Sequence, residues 1–201
     1  QKILSEDLQA GQRFGKKIFF FGEFLFIAAI DTEDVYVYTF NETTNQFEYL
    51  QTLSGPSGFG QSMDLENNRL VIGANRNTIT NNGTQNIFQA GSVKTYLLNE
   101  NSQQWEFEQF LLHNNPDAYD WFGNSVSIEN QVIFAGSPYN DTDSNFSNFE
   151  THAGAGLIFE LDTNLSTLEP VKSTPIAIYP NPATNFLNIK TEIPLSHIQI
   201  Y

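Results

Sequence analysis

Apolar and polar positions alternate along this chain in short runs that Gly, Asn, Asp and Ser interrupt. The clearest run spans residues 105–111, in which Trp105, Phe107, Gln109 and Leu111 occupy every second position. Period-two alternation predicts a strand with one buried face, and β-branched and aromatic runs between turn residues are typical of strands. No window shows a convincing helical stripe. The pattern therefore predicts an all-β chain.

The same pattern occurs three times in register. A Phe-Gly pair opens the copies at Phe14, Phe59 and Phe122, and fourteen residues after each Phe comes a pair of small residues. These pairs are Ala28-Ala29, Gly73-Ala74 and Gly136-Ser137. Each copy predicts four strands: one after the Phe-Gly, an apolar run before the small pair, a Val/Tyr/Phe run, and an aromatic alternation. Four-stranded units repeated at this spacing predict blades of a β-propeller, and small residues there let neighbouring backbones approach.

The two ends of the repeat region are incomplete. Gln1–Ser5 resembles the end of a fourth strand, like Leu50–Leu53, and the third copy is followed after Leu161 by a polar segment without an aromatic fourth strand. The N-terminal strand could thus complete the last blade and close a ring. Since propellers have about four to eight blades, we expect residues 1–161 to be the C-terminal part of a longer propeller.

The Phe-Gly, Gly-Ala and Gly-Ser-Val elements at these spacings resemble the FG-GAP repeat, the blade unit of integrin α-chain propellers and of many bacterial surface proteins. The resemblance covers roughly Phe14 to Leu161. Its calcium-binding subtype has an Asp-rich loop between strands one and two. Here that turn reads Glu66-Asn67-Asn68 or Glu129-Asn130-Gln131, too few carboxylates for the six to eight oxygens that calcium takes. We therefore expect no metal.

Composition narrows the classes of partner. The chain has 201 residues, a formal net charge of -14 from 23 acidic and 9 basic residues, and no cysteine. Because nucleic-acid binding requires basic patches, we expect no nucleic-acid partner; the charge is read as a solubility feature. The missing cysteines exclude disulfides and thiolate chemistry. No apolar run approaches the roughly 20 residues of a membrane span.

Long loops on one side of the predicted blades are the candidate binding surface. The strand two–three loops of copies two and three and the loop between these copies should emerge together, and binding residues concentrate on such loops. This face carries Arg76, Asn77, Tyr119, Asp120, Trp121, Tyr139, Asp141 and Asp143. The alternative is that these segments are solvated insertions without a ligand.

The end of the chain has a different character. Residues 162–174 read as a polar linker, and residues 175–201 contain Tyr-Pro-Asn-Pro followed by two short strand patterns. This segment resembles the C-terminal sorting domain of type 9 secretion cargo in Bacteroidota, a small β-sandwich of which only the N-terminal part is present. The residues that carry the resemblance are Tyr179, Pro180, Asn181, Pro182, Asn185, Phe186 and Leu187. It implies recognition by the outer-membrane translocon and its shuttle protein. The alternative is an ordinary Pro-rich turn before a small β-domain.

No constellation for catalysis is evident. His113, His152 and His197 lack the partners of a zinc site, and no nucleophile elbow occurs. We expect no cofactor and no catalytic residue, and a secreted or cell-surface binding or adhesion protein whose ligand is a glycan or a protein. Two alternatives stay open: a propeller hydrolase or lyase with its catalytic residues in other blades, and a structural filament component.

Overall fold

The computed structural model of the chain describes residues 1–5, 10–81, 85–141 and 152–161, and the backbone of two further strands at 176–179 and 188–190. Every regular element in these residues is a β-strand, and the strands form three antiparallel sheets of four or five strands and one separate hairpin. The all-β prediction and the four-stranded blade unit are confirmed. The chain forms part of a β-propeller, with three blades.

Sheet 1 is the first copy of the repeat. It has the order β1-β2-β3-β4 and every pairing is antiparallel. Its strands are β1 (Phe14–Phe21), β2 (Phe24–Ala29), β3 (Asp34–Asn41) and β4 (Gln46–Ser54). Consecutive strands are neighbours because the turns between them are short.

Sheet 2 repeats this order with one insertion. Its strands, in sequence, are β5 (Phe59–Glu66), β6 (Arg69–Ala74), β9 (Ser92–Asn99) and β10 (Gln104–Leu111). Between β6 and β9 the chain forms a separate hairpin of β7 (Ile79–Asn81) and β8 (Gln85–Ile87). The sequence predicted only a long loop there. The hairpin is a finding of the structure, and the Thr80 hydroxyl donates across it to the Asn86 side chain at 3.0 Å.

Sheet 3 contains β11 (Ser125–Glu129), β12 (Val132–Ser137), β13 (Ala155–Glu160), β14 (Ile176–Tyr179) and β15 (Asn188–Lys190). Ile178 lies opposite Gly156, just as Leu53 lies opposite Val35 and Leu111 opposite Val93. β14 thus holds the fourth-strand place that the sequence analysis left empty. The expectation of a missing fourth strand is corrected at this point, whereas a sorting domain at 175–201 stays a prediction.

Sheets 1 and 2 also share an irregularity in the hydrogen-bonded ladder between their third and fourth strands. The pairing of β3 with β4 shifts between Val37 and Tyr38, which leaves Leu50 unpaired, and the pairing of β9 with β10 shifts so that Glu108 is unpaired. Leu50 and Glu108 occupy the same repeat position, and an unpaired extra residue is a β-bulge. The gap-free match of the third and fourth strands in the sequence therefore holds for the backbone too.

Sheet 2 has two packed faces. We call the face toward the preceding sheet in the chain the leading face and the opposite one the trailing face. In β6, Leu70, Ile72 and Ala74 lie on the leading face, in the cluster shared with sheet 1, and Val71 lies on the trailing face, in the cluster shared with sheet 3. Alternate residues of one strand thus serve two interfaces, and this explains why the strand reads as a continuous apolar run.

Phe-Gly pairs close these interfaces. Phe59 and Phe122 are fully buried, and β5 begins at Phe59, with a bulge before Ser62, and not at Ser62 as predicted. Gly60 has a φ of 84°, and a Cβ atom there would lie 2.8 Å from the Cβ atom of Ala28 in sheet 1. The small residues of the repeat therefore let two sheets approach each other.

Exchanging Gly60 for alanine is expected to lower the free energy of unfolding by roughly 2–4 kcal/mol, because backbone strain at positive φ adds to overpacking against Ala28. Gly15 is the matched control. Its φ is 87°, but nothing lies within 4 Å of the place its Cβ would take. Gly15→Ala should cost only the strain, roughly 1–2 kcal/mol. Urea unfolding of both variants measures the difference, and equal losses would argue against close sheet packing at Gly60.

Polar side chains also cross the interfaces. Asp64 of β5 accepts hydrogen bonds from the Ser127 hydroxyl at 2.9 Å and from the Ile128 N–H at 2.8 Å, and Glu66 accepts from the N–H groups of Asn130 and Gln131. The carboxylates of Asp64 and Glu66 therefore bind the next sheet, and their role is structural.

Lys94 joins sheets 1 and 2. Its ammonium donates to the Ser54 carbonyl oxygen at 2.9 Å. It lies 5.2–5.4 Å from the ring centroids of Phe59, Tyr96, Phe107 and Phe110, within the range of cation–π attraction. Burial among these rings lowers the pKa of Lys94, since an apolar environment disfavours the charged form.

Candidate functional site

Three loops meet on one side of sheets 2 and 3. The first carries Arg76 and Gln89 between β6 and β9, the second joins β10 to β11, and the third joins β12 to β13. Backbone hydrogen bonds hold the first two together: the N–H of Tyr119 donates to Phe88 at 2.8 Å, and the N–H of Phe122 donates to Ala90 at 2.9 Å. The convergence that the sequence analysis expected is therefore present in the described residues.

A row of stacked side chains crosses these loops. The guanidinium of Arg76 lies 5.8 Å from the ring centroid of Trp121, the rings of Trp121 and Tyr139 are 4.7 Å apart in an edge-to-face arrangement, and the rings of Tyr139 and His152 are 5.1 Å apart. The Trp121 indole N–H donates to Gln89 at 3.1 Å. We call Arg76, Trp121, Tyr139 and His152 the aromatic ridge. Because each ring is held by its neighbours, the ridge presents a pre-organised surface.

Asp120 lies beneath this ridge. Its residue is 1% exposed. One carboxylate oxygen accepts from the Asp117 N–H at 2.8 Å and from the Asn140 amide at 3.3 Å, whereas the other, Oδ1, is buried without a hydrogen-bond partner. The Asp120 carbonyl oxygen also accepts from the Ser137 hydroxyl at 2.9 Å. Asp120 therefore joins the second loop to the third, and it is too buried to touch a ligand.

Burial raises the pKa of Asp120 to about 6. Removal from water disfavours the carboxylate, and the nearby charges of Asp117 and Asp141 oppose ionisation further, although the hydrogen bonds from Asp117 and Asn140 work in the opposite direction. The unpartnered Oδ1 fits this shift, because a protonated oxygen avoids leaving an uncompensated charge in a buried place.

Stability should therefore fall as the pH rises between about 4 and about 6. In this window the unfolded chain has already lost the Asp120 proton while the folded chain retains it, so proton loss favours unfolding. The expected loss is on the order of 2 kcal/mol after allowance for solvent screening. Urea unfolding across this window measures it, with Asp120→Asn as the control that imitates the protonated group. A slope that is the same in both proteins would contradict this role for Asp120.

His113 anchors the second loop from inside. It is buried, its Nδ1 accepts from the Asn115 N–H at 3.0 Å, and its ring packs edge-on against Phe122. Burial lowers its pKa to about 4, because the interior disfavours imidazolium. His113 is therefore neutral at physiological pH and has a structural position.

The predicted residues of the loop face do not all point outward. Arg76, Trp121 and Tyr139 form the ridge, Tyr119 is 58% exposed beside it, and Asp141 accepts from the backbone N–H of His152. Asn77 instead donates to the Ser92 hydroxyl at 2.9 Å, and Asp120 is buried. Asp143 lies outside the described residues.

Sequence reasoning missed three contributors: Gln89, Asn140 and His152. Each lies in or beside a long loop without any motif. The one available signal was position, because Gln89 and His152 close the predicted strand two–three loops and Asn140 lies near the start of the second of them. Of the predicted sorting residues, Tyr179 is the last residue of β14. The others, Pro180, Asn181, Pro182, Asn185, Phe186 and Leu187, lie outside the described part of the chain.

The described residues contain no group of three or more His, Asp or Glu side chains placed to hold a metal ion. They also contain no helix of the length and apolarity that a membrane span requires.

Comparison with protein families gives a match within the chain. No curated protein is similar enough to the chain to serve as a relative. The FG-GAP repeat matches residues 105–148. This range runs from β10 through the second loop, Phe122-Gly123 and β12 into the third loop, and it includes Trp121 and Tyr139 of the ridge. The chain therefore carries an FG-GAP repeat, and the match includes the second loop of the candidate site and the first part of the third.

Proposed function

We propose that this protein is a secreted or cell-surface binding protein and that the aromatic ridge is its binding surface. The observation that carries the proposal is the continuous row of ring contacts from Arg76, in the loop between β6 and β9, to His152, in the loop between β12 and β13. Trp, Tyr and Arg are the residues most enriched at binding hot spots, and Trp and Tyr bury a large area with little loss of conformational entropy. The FG-GAP match supports a surface-binding role, and the proposal assigns these residues binding and not catalysis.

The ligand class is a glycan or a protein, and a protein is favoured. Tyr, Trp, Arg and Asn side chains on loops are the typical content of a protein-binding paratope. The formal net charge of -14 favours a partner with a neutral or basic surface, because opposite potentials speed association and like potentials suppress it. Arrays of glycans and of surface proteins, probed with the purified chain, test the two classes side by side.

Tyr139→Ala is the variant of choice for this test. Tyr139 is 37% exposed and contacts both Trp121 and His152. Loss of a hot-spot aromatic costs about 2 kcal/mol, so the affinity for an array hit should fall about 30-fold. Tyr49→Ala is the matched control, because Tyr49 is similarly exposed, at 44%, on the outer strand β4 away from the ridge. If both variants and the unchanged chain bind with equal affinity, the aromatic ridge is not the binding surface.

The second part of the proposal concerns export. We propose that residues 175–201 address the protein to the type 9 secretion route, through the outer-membrane translocon and its shuttle protein. The Tyr179-Pro180-Asn181-Pro182 sequence supports this, because it carries the resemblance to the sorting domain of type 9 secretion cargo. A Bacteroidota host with this system offers the test. Deletion of residues 175–201 should abolish surface delivery, whereas an unchanged amount of protein at the surface would contradict the sorting role.

A further inference from the structure

Lys94 differs from its counterparts in the other copies of the repeat. In the pairing of the second and third strands, Tyr36 of sheet 1 and Leu157 of sheet 3 have the register position that Lys94 has in sheet 2. Tyr36 and Leu157 are buried, at 2% and 3% exposure. An amine therefore stands where the repeat elsewhere places a buried uncharged side chain, so the fold alone does not require it.

Aromatic rings enclose the Lys94 amine on its inner side and leave it open on its outer side. Its nitrogen lies 5.2–5.4 Å from four ring centroids, those of Phe59, Tyr96, Phe107 and Phe110, which we call the lysine cage. Phe59 and Tyr96 are buried, whereas Phe107 is 51% and Phe110 is 48% exposed. The rings of Phe107 and Phe110 lie 5.3 Å apart. A small molecule can therefore reach the amine from solvent and pack against both of these rings.

No carboxylate of the described residues pairs with the Lys94 amine. Its hydrogen-bond acceptor is the Ser54 carbonyl oxygen, at 2.9 Å, and both ion pairs of the described residues are formed by arginines. Although the rings attract a cation, burial lowers the pKa of Lys94. A desolvated lysine amine regains its lone pair at a lower pH than an exposed one, and the lone pair makes it a nucleophile.

We propose that Lys94 is a covalent binding site for aromatic aldehydes, which it holds as a protonated imine (a Schiff base). The lone pair of the neutral amine forms a bond to the carbonyl carbon. Both amine hydrogens leave with the carbonyl oxygen as water, a C=N double bond remains, and its nitrogen takes one proton from solvent. The site lies between sheets 1 and 2, outside the aromatic ridge, so this inference is independent of the proposed function.

The surroundings of Lys94 suit this product. An ammonium has three N–H donors, whereas a protonated imine has one, and the Ser54 carbonyl oxygen is the one acceptor that it needs. The positive charge of the imine lies among rings that attract a cation. The aromatic group of the aldehyde packs against Phe107 and Phe110, since aromatic rings attract each other in edge-to-face and offset arrangements.

A carboxylate ligand that pairs with Lys94 fits this site less well. The formal net charge of -14 repels an anion, because like potentials suppress association. The faces of the four rings also carry the negative side of the aromatic quadrupole. An uncharged aldehyde meets neither obstacle, and its charge appears only after the bond to Lys94 has formed.

The test labels the full chain with benzaldehyde in the presence of cyanoborohydride, which reduces each imine to a stable secondary amine. Peptide mass mapping then gives the ratio of labelling at Lys94 to labelling at the exposed Lys16 and Lys17. Since all three amines share one solution, the ratio cancels the pH dependence of the reagents. It should be at least about threefold higher at pH about 7 than at pH about 10, where exposed amines also lose their proton. In urea-unfolded chain the ratio should not depend on pH.

Phe110→Thr tests the part of the cage, because sheet 1 has Thr52 at the same repeat position. Benzaldehyde labelling of Lys94 should fall about threefold or more in this variant, whereas labelling by propanal, which has no ring to stack, should change less. A ratio equal at both pH values in the folded chain would overturn the proposal. So would equal benzaldehyde labelling of Lys94 in Phe110→Thr and in the unchanged chain.

Discussion

Phe59→Ala is expected to lower the free energy of unfolding by about 3–5 kcal/mol, the cost of removing a fully buried aromatic ring from a packed core. Phe59 is fully buried between sheets 1 and 2, and its ring lies 6.4 Å from that of Tyr96 and 5.3 Å from the Lys94 ammonium. Its loss leaves a cavity and removes one face of the cage around Lys94. Urea unfolding followed by Trp fluorescence measures the change.

Phe14→Ala is the matched control for this prediction. Phe14 opens the first copy as Phe59 opens the second, but it lies on the leading face of sheet 1, against which no other sheet of the described residues packs, half-buried against Tyr36. Its replacement should cost only about 1 kcal/mol, since little area is returned to water. If both variants lose the same stability, the two Phe-Gly pairs do not differ in packing and the blade-stacking account fails.

Arg69→Met should be nearly as harmful. The Arg69 guanidinium makes two hydrogen bonds to the Glu108 carboxylate, at 2.8 and 2.9 Å, with side-chain exposures of only 14% and 9%. The Thr95 hydroxyl donates to the same carboxylate at 2.9 Å. Removing one partner of a buried pair leaves an uncompensated charge and costs about 3–5 kcal/mol. Chemical denaturation measures the loss, and added salt should change it little.

Two further variants serve as comparisons for the Arg69→Met prediction. The double variant Arg69→Met with Glu108→Leu should recover most of the stability, because replacing both ions with apolar groups is nearly neutral. Arg13→Met removes the exposed pair of Arg13 with Asp31 and should cost much less than Arg69→Met, because water screens an exposed ion pair. A loss for Arg69→Met no larger than that for Arg13→Met would contradict the buried pair.

Much of this fold could be predicted from the sequence because its repeat is local. Phe59-Gly60 and Phe122-Gly123 fix the start of each blade, and the apolar runs before Ala74 and Ser137 fix the second strands. The close approach of Gly73 to the carbonyl oxygen of Gly123 is what small residues at that position suggested. β14 was missed because its pattern was assigned to the following segment.

Contacts between sheets could not be predicted from the sequence. The hydrogen bonds of Gln1 with Phe47 and of Gln51 with Trp105 join residues 46 and 54 positions apart, and one partner in each is a backbone group. No periodic pattern of apolar and polar residues indicates such a pair. The hydrogen bonds from sheet 3 to Asp64 are equally non-local. In the sequence, Asp64 looks like an exposed polar residue near a turn.

The candidate site shows the same division. That the three loops would meet followed from strand order, and Trp121 and Tyr139 were found as aromatic residues on those loops. The burial of Asp120 could not be found, because a carboxylate on a long polar loop normally faces water. Only the packing of the second loop over the third removes it from solvent.

Sheet stacking is the central claim of this account, and amide exchange at Ile128 tests it most directly. β11 is an edge strand of sheet 3, and the Ile128 N–H donates at 2.8 Å to Asp64 of sheet 2. We predict slow exchange at Ile128 that becomes at least about tenfold faster in Asp64→Ala, while the central Ala135 amide of β12 is unchanged. Equally fast exchange at Ile128 in both proteins would contradict the account.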